Sequence, residues 1–291
     1  MIKASHPIEP HFVQPLEDAL YELAPSNWSL VIGQKNGTGN LEGFFGSEND
    51  VQKARQALEF LLGKEFENPF KLVQLEDKDW KESYKNHFKP WSRGTIHWVP
   101  EWERESYEVP CGHHALYVDP GMAFGTGNHE TTRLCLESMI AIIRTKQIGD
   151  CIDIGCGSGI LALSASLLGI EKVRGIDFDP DAIKVATDNL NLNPVSDEVE
   201  FNVKPLENLG ANENFDLVVA NIQADVLMQN SETLIQLVRK DGFLVLSGIL
   251  TEEMDLVEDC FLNLLHRKHK SFETDKETLG EWSLLQLRLI A

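Results

Sequence analysis

From Cys151 onward, short apolar runs alternate with segments whose apolar residues recur every three or four positions, as strands alternating with helices do. The pattern predicts strands at 151–154, 172–177, 198–203, 215–220 and 242–247. Such regular alternation implies a parallel sheet with helices on both faces. Helix starts are marked by Asp179 as N-cap and Pro180 at the first helical position before 181–192, and by Thr251-Glu252-Glu253 ahead of a helix to Leu265. Strand-like stretches at 269–274 and 282–289 predict a terminal hairpin that adds an antiparallel strand. The expected class is therefore α/β, a Rossmann-like, mostly parallel seven-stranded sheet.

The first part of the chain has a different rhythm. A helix over 12–23, strands at 28–32 and 41–45, a helix over 51–62 and a strand at 70–75 predict a small α+β unit. Residues 76–89 are polar, studded with aromatics and stopped by Pro90, which predicts a connecting helix. Trp80, Tyr84 and Phe88 recur at spacing four and would form a packing seam along it. The expected domains are thus 1–75, a helical linker at 76–89, and a main domain at 90–291.

Composition narrows the partners. With 42% hydrophobic and 25% charged residues, the chain reads as an ordinary soluble globular protein. A net charge of −20 would repel a phosphate backbone, so direct nucleic-acid binding is not expected, whereas a basic protein would be attracted. Five cysteines with no framework spacing fit a reducing cytoplasm. Residues 1–7 hold no apolar leader, so no secretory signal is expected. The apolar stretch from Cys151 to Ile170 is interrupted by Asp153 and a glycine turn, and reads as a buried strand and helix, not a membrane span.

Three segments carry the chemistry: DPGMAFGTGNHETT at 119–132, DIGCGSGILAL at 153–163, and VVANI at 218–222. In the second, a strand runs through Gly155, Gly157 and Gly159 into a helix, which brings bare backbone close to a ligand. The dinucleotide fingerprint needs a third glycine at the place taken by Ile160, so the G-x-G-x-G spacing points instead to an S-adenosylmethionine site. Asp177, ending the next strand 22 residues after Gly155, is placed to accept hydrogen bonds from ribose hydroxyls. Asp153 would face the methionine ammonium or orient the turn. Asn221 ends the fourth strand, where an amide carbonyl could aim an amine, or could merely cap the helix from Ala224. In the first segment, Gly121, Gly125 and Gly127 are costly to order; Phe124 offers an apolar face, and His129, Thr131 and Thr132 offer polar handles. No zinc-type spacing links Cys111, His113, His114 and His129, and no metal is expected.

Taken together with GIDFDPDAI and LSGIL (246–250), these segments closely resemble the PrmA family, methyltransferases that modify ribosomal protein L11. The likeness runs from about Asp79-Trp80 to Glu281-Trp282. It implies a class I methyltransferase domain behind a small recognition domain, acting on lysine ε-amines and the N-terminal α-amine of that protein. Its donor-binding positions fall on Thr132, Gly155, Asp177 and Asn221, with Phe124 and Gly157 as further contacts, and Asn221 as the catalytic residue. The family loop reads FGTGTHPTT, whereas Asn128 and Glu130 stand here for threonine and proline; losing the proline is expected to free the loop. The usual NILA is NIQAD, with Gln223 and Asp225 making the mouth more polar. The competing expectations are a related methyltransferase acting on another protein or a small amine, and a non-catalytic binding module with a relic donor pocket.

Overall fold

The computed structural model describes residues 2–22, 27–32, 39–66, 68–74, 88–119, 129–195, 197–210 and 213–290. The chain divides into two compact units, Met1–Tyr84 and Lys85–Ala291. Most of the predicted connecting helix, including Trp80 and Tyr84, lies outside the described residues. Phe88 and Lys89 are not helical, and Phe88 is fully buried in the second unit with its ring edge-on to Trp102 at 5.9 Å.

The first unit is a β-α-β-β-α-β arrangement: Ile2–Ile8 (β1), Pro10–Glu22 (α1), Trp28–Ile32 (β2), Gly39–Phe45 (β3), Glu48–Leu62 (α2) and Lys71–Gln74 (β4), in the sheet order β2-β3-β1-β4. The central strand β1 was not anticipated. Its buried residues alternate as Ile2, Ala4, His6 and Ile8, a half-buried strand signal weakened by His6 and Pro7. Pro7 is tolerated because β4 pairs only with Ile2–Ser5, leaving no ladder bond for Pro7 to donate on that side. Ser47 caps α2 by accepting the Asp50 N–H, and Gly63 closes it in the left-handed region at φ 61°.

The second unit is built on a seven-stranded sheet. Asp150–Ile154 (β8), Lys172–Asp177 (β9), Val199–Val203 (β10), Phe215–Asn221 (β11), Val238–Leu250 (β12), Ser271–Leu279 (β13) and Trp282–Ile290 (β14) take the order β10-β9-β8-β11-β12-β14-β13. The first five are mutually parallel, and β14 runs antiparallel to both β12 and β13. The predicted terminal hairpin is therefore present and inserts its second strand, β14, between β12 and β13. Side chains alternate across the sheet between two cores: Cys151, Val173, Leu217, Val219 and Val245 on one face, and Ile152, Ile154, Val218, Leu244 and Leu246 on the other.

Helices Glu130–Thr145 (α3), Ile160–Leu167 (α4), Pro180–Leu192 (α5), Ala224–Gln229 (α6), Ser231–Gln236 (α7) and Met254–Arg267 (α8) complete the unit. Asp179 caps α5, its side chain accepting the Asp181 N–H at 2.8 Å, with Pro180 at the start of the helix as predicted. A second, small sheet was not foreseen. It joins Trp91–Arg93 (β5), Ile96–Pro100 (β6) and His114–Val118 (β7), with β7 parallel to β6. Trp98 of β6 stacks on Trp91 and donates its indole N–H to buried Ser164 of α4 at 2.8 Å, tying this sheet to the main core. Among the described residues, no helix is long and apolar enough to cross a membrane.

Candidate active site

The order of the large sheet reverses between β8 and β11. From β8 the chain steps outward to β9 and β10, then returns to β11 on the other side and continues to β12. Ligands of open α/β sheets bind at the carboxyl ends beside such a reversal. The register pairs Ile154 with Ala220, so the glycine turn after β8 and Asn221 at the end of β11 emerge side by side.

The turn is held in an unusual backbone shape. Gly155, Gly157 and Gly159 all have positive φ, at 67°, 52° and 79°, which L side chains rarely adopt. The missing Cβ atoms serve the protein's own packing more directly than expected. A Cβ on Gly155 would lie 2.4 Å from Ile222 Cγ2, and one on Gly159 would lie 2.7 Å from Phe201 Cζ. The turn is braced by the Cys156 N–H donating to Ile176 O at 2.9 Å and the Gly157 N–H donating to Asp177 Oδ2 at 3.0 Å. Asp177 thus does a structural job that the sequence did not disclose; its other oxygen accepts the Asp179 N–H at 3.0 Å. Each carboxylate oxygen has a further lone pair.

Three polar atoms at this edge are buried and have no partner among the described residues: Thr132 Oγ1, Asp153 Oδ1 and Asn221 Oδ1. They belong together spatially. Cys135, one turn after Thr132, is near enough to Asp153 and Ser247 for both to bear on its thiol, and Ser247 is the register neighbour of Asn221. Leaving a buried donor or acceptor unsatisfied costs about 1–3 kcal/mol each, so three in one place mark a surface shaped for something polar. Asp153 accepts the Ala162 N–H through Oδ2 at 3.0 Å. Burial raises its pKa to about 7; the Ala162 hydrogen bond opposes that rise and the charge of Asp177 adds to it. A cationic group beside the free oxygen would restore its ionised form. The cap reading of Asn221 is not realised, because α6 starts from Gln223 and has no side-chain cap.

At the 119–132 segment, residues 120–128, Phe124 and Asn128 among them, lie outside the described residues. The two ends are described. His129 is the N-cap of α3, accepting the Thr131 N–H and lying 2.9 Å from Thr131 Oγ1 through Nδ1. Those two handles are therefore engaged with each other, whereas the Thr132 hydroxyl has no partner among the described residues. Glu130 is the first residue of α3, where a negative charge suits the helix dipole. The family proline at this position would sit at a favoured helix start; the expected freeing of the loop falls on residues 120–128, outside the described residues.

Other candidate chemistry is not assembled. Among the described residues no group of three His, Cys, Asp or Glu could hold a metal ion. His113 instead lies 2.7 Å from Nε2 of buried His97, whose Nδ1 is 2.7 Å from Tyr107 Oη. Burial raises the pKa of Cys135, Cys151 and Cys156, and Asp153 raises it further, which keeps all three as neutral thiols.

Comparison with known proteins shows the family. The sequence profile described as Ribosomal protein L11 methyltransferase (PrmA) matches residues 18–289. This chain belongs to that family. Its members are S-adenosylmethionine-dependent methyltransferases of ribosomal protein L11, and the chain is accordingly a methyltransferase using that donor. It is 40% identical over 289 residues to the Ribosomal protein L11 methyltransferase of Geotalea daltonii, covering 93% of this chain and 89% of the relative. The namesake from Caldicellulosiruptor saccharolyticus is 36% identical over 245 residues, 84% of this chain and 75% of the relative. A crystal structure of the ribosomal protein L11 methylase from Lactobacillus delbrueckii subsp. bulgaricus aligns with a TM-score of 0.58 and 29% identity, covering 68% of this chain and 96% of that one.

Sequence reading passed over two residues that fasten the edge of β7 to α5. Asn189 and Asn193, one turn apart on and just after α5, hydrogen-bond the backbone of β7 and the residue following it. The only local hint was the recurrence of asparagine in DNLNLN at the end of an amphipathic helix.

Proposed function

We propose that this methyltransferase modifies lysine ε-amines and the N-terminal α-amine of ribosomal protein L11, through a site between the carboxyl ends of β8 and β11. The observation that carries this reading is the set of three buried, unpartnered polar atoms on Thr132, Asp153 and Asn221, on three different elements. S-adenosylmethionine, when bound, supplies an activated methyl group on a sulfonium. Asp177 would accept from its ribose hydroxyls, Asp153 would face its ammonium, and Thr132, Gly155, Gly157 and Phe124 would complete its contacts.

The chain's own task is to prepare the acceptor. A lysine of pKa near 10.4 must lose a proton, which costs about 4.6 kcal/mol at pH 7. Desolvation at a closed site lowers that cost without a strong base. Asn221 Oδ1 is an acceptor with no other partner, so it can take a hydrogen bond from the amine and fix the direction of its lone pair. Such positioning is the main catalytic contribution of the protein in this reading. The net charge of −20 favours approach of a basic ribosomal protein, and that substrate places the reaction in the cytoplasm. The first unit, Met1–Tyr84, is assigned to recognition of the substrate.

The test is to incubate the protein with methyl-labelled donor and either purified L11 or an extract from cells lacking the enzyme. Mass spectrometry should find the label on lysine side chains and the α-amine of L11. Label on a different protein, with L11 blank in both reactions, would reject the acceptor while leaving the donor site standing. The exposed Gln223 and Asp225 at the mouth are where such a difference in acceptor would originate.

A further inference from the structure

Asn189 is 1% exposed and makes three hydrogen bonds with groups far away in sequence. Its Oδ1 accepts the Asp119 N–H at 2.9 Å, and its Nδ2 donates both to Asp119 O and to Ser158 O at 2.9 Å each. Asp119 is the first residue of the 119–132 segment, and Ser158 lies in the glycine turn. One side-chain amide therefore joins the entrance of that segment to the turn.

The neighbouring asparagine provides an internal control. Asn193 Oδ1 accepts the Tyr117 N–H at 2.8 Å, and its Nδ2 donates to Tyr117 O at 2.7 Å and to Asn189 O at 2.8 Å. Four residues of helix rise about 6 Å and two residues of strand rise about 6.6 Å, so two amides one turn apart match alternate residues of an extended chain. The pair imitates a partner strand along the free edge of β7. Both asparagines serve that pairing, but only Asn189 reaches the glycine turn.

We propose that Asn189 is a positioning residue for the methyl donor: it locks the Ser158 carbonyl, and with it the Gly157–Gly159 backbone, in register with Asp119. Three positive-φ glycines close together form a segment with many alternatives, and an anchored carbonyl removes most of them. The donor then meets a turn already in its binding shape, and binding need not supply the ordering. The inference rests on the assignment of the donor to this turn.

Calorimetric titration of the full chain with S-adenosylmethionine, paired with thermal melting, separates the roles. Asn189→Ala and the nearly isosteric Asn189→Asp, which keeps the acceptor but loses both donors, should each weaken donor affinity by about tenfold, as expected for the loss of one or two hydrogen bonds. Asn193→Ala should lower the melting temperature comparably, yet leave affinity within about twofold, since it touches only β7 and the helix. Equal losses of affinity in the Asn189 and Asn193 variants would mean general loosening and would overturn the proposal. Asp177→Ala completes the set. Affinity lost there but kept in both Asn189 variants removes Asn189 from donor binding while the site stands; affinity kept in all of them overturns the site, and the role of Asn189 with it.

Discussion

The central strands β8 and β11 carry polar groups at both ends, and the two ends treat them in opposite ways. At the amino end, Arg239 bonds Asp150 at 2.8 Å and Asp216 at 2.5 Å, the Asp216 N–H donates to Asp150 Oδ1 at 2.7 Å, and the Gly149 N–H donates to Asp216 Oδ2 at 2.8 Å. At the carboxyl end, three residues along the same strand β8, Asp153 keeps an oxygen with no partner, as does Asn221 at the end of β11. The fold can satisfy acids here when nothing else is required of them. On the proposed reading, the unsatisfied end is the one kept for the methyl donor and the acceptor amine.

The two ends should also answer pH in opposite directions. Burial opposes ionisation of Asp216, but the Gly149 N–H and Arg239 outweigh it and lower its pKa. Its stabilising contribution is present at neutral pH and lost as pH falls through the lowered value. Asp153, with its pKa raised to about 7, behaves inversely: the folded protein holds a proton that the unfolded chain releases near pH 4, so stability declines as pH rises from there towards 7.

The largest expected effects lie at the carboxyl end. Asn221→Ala should lower kcat by about 100-fold while donor affinity stays within a few-fold, because acceptor alignment is lost and Asn221 is only one of several donor contacts. Unchanged turnover in single-turnover kinetics would remove Asn221 from its role. Asp177→Ala should instead weaken donor binding by roughly 10- to 100-fold, the scale of charged hydrogen bonds. At the amino end, Arg239→Ala should cost about 2 kcal/mol in urea unfolding, a value moderated by partial exposure, and leave donor affinity alone. An affinity change equal to that of Asp177→Ala would erase the distinction between the ends.

Smaller effects sharpen the same contrast. Asp153→Asn should raise the melting temperature by several degrees at pH 8 and leave it unchanged near pH 4, while weakening donor binding; a uniform shift across pH would show that Asp153 is not held protonated. Glu130→Pro restores the family residue at the helix start, and His129, at φ −68° and ψ 140°, already has the backbone that precedes proline. Its effect on stability should stay within about 1 kcal/mol and kcat should not move.

Much of the large sheet was legible because buried strands and amphipathic helices write local periodicities, and caps such as Asp179-Pro180 mark their boundaries. Strand β1 was missed because His6 and Pro7 interrupt its alternation, and the sheet of β5, β6 and β7 because short strands carry too few repeats. The positions of Gly155, Asp177 and Asn221 followed from strand ends. The brace from Gly157 to Asp177 and the clamp by Asn189 did not, since they join residues 20 and 70 positions apart.

By itself the sequence determined the alternation of elements, the glycine turn with its downstream acid, and the family to which these belong. The elements and the turn are encoded in short stretches of chain, and the family in the fixed order of several such stretches. Tertiary structure alone decided which polar atoms were satisfied, which end of the strands was left open, and that an asparagine would act as a strand partner. Hydrogen-bond satisfaction and desolvation depend on every neighbour in space, and no local pattern of residues records them.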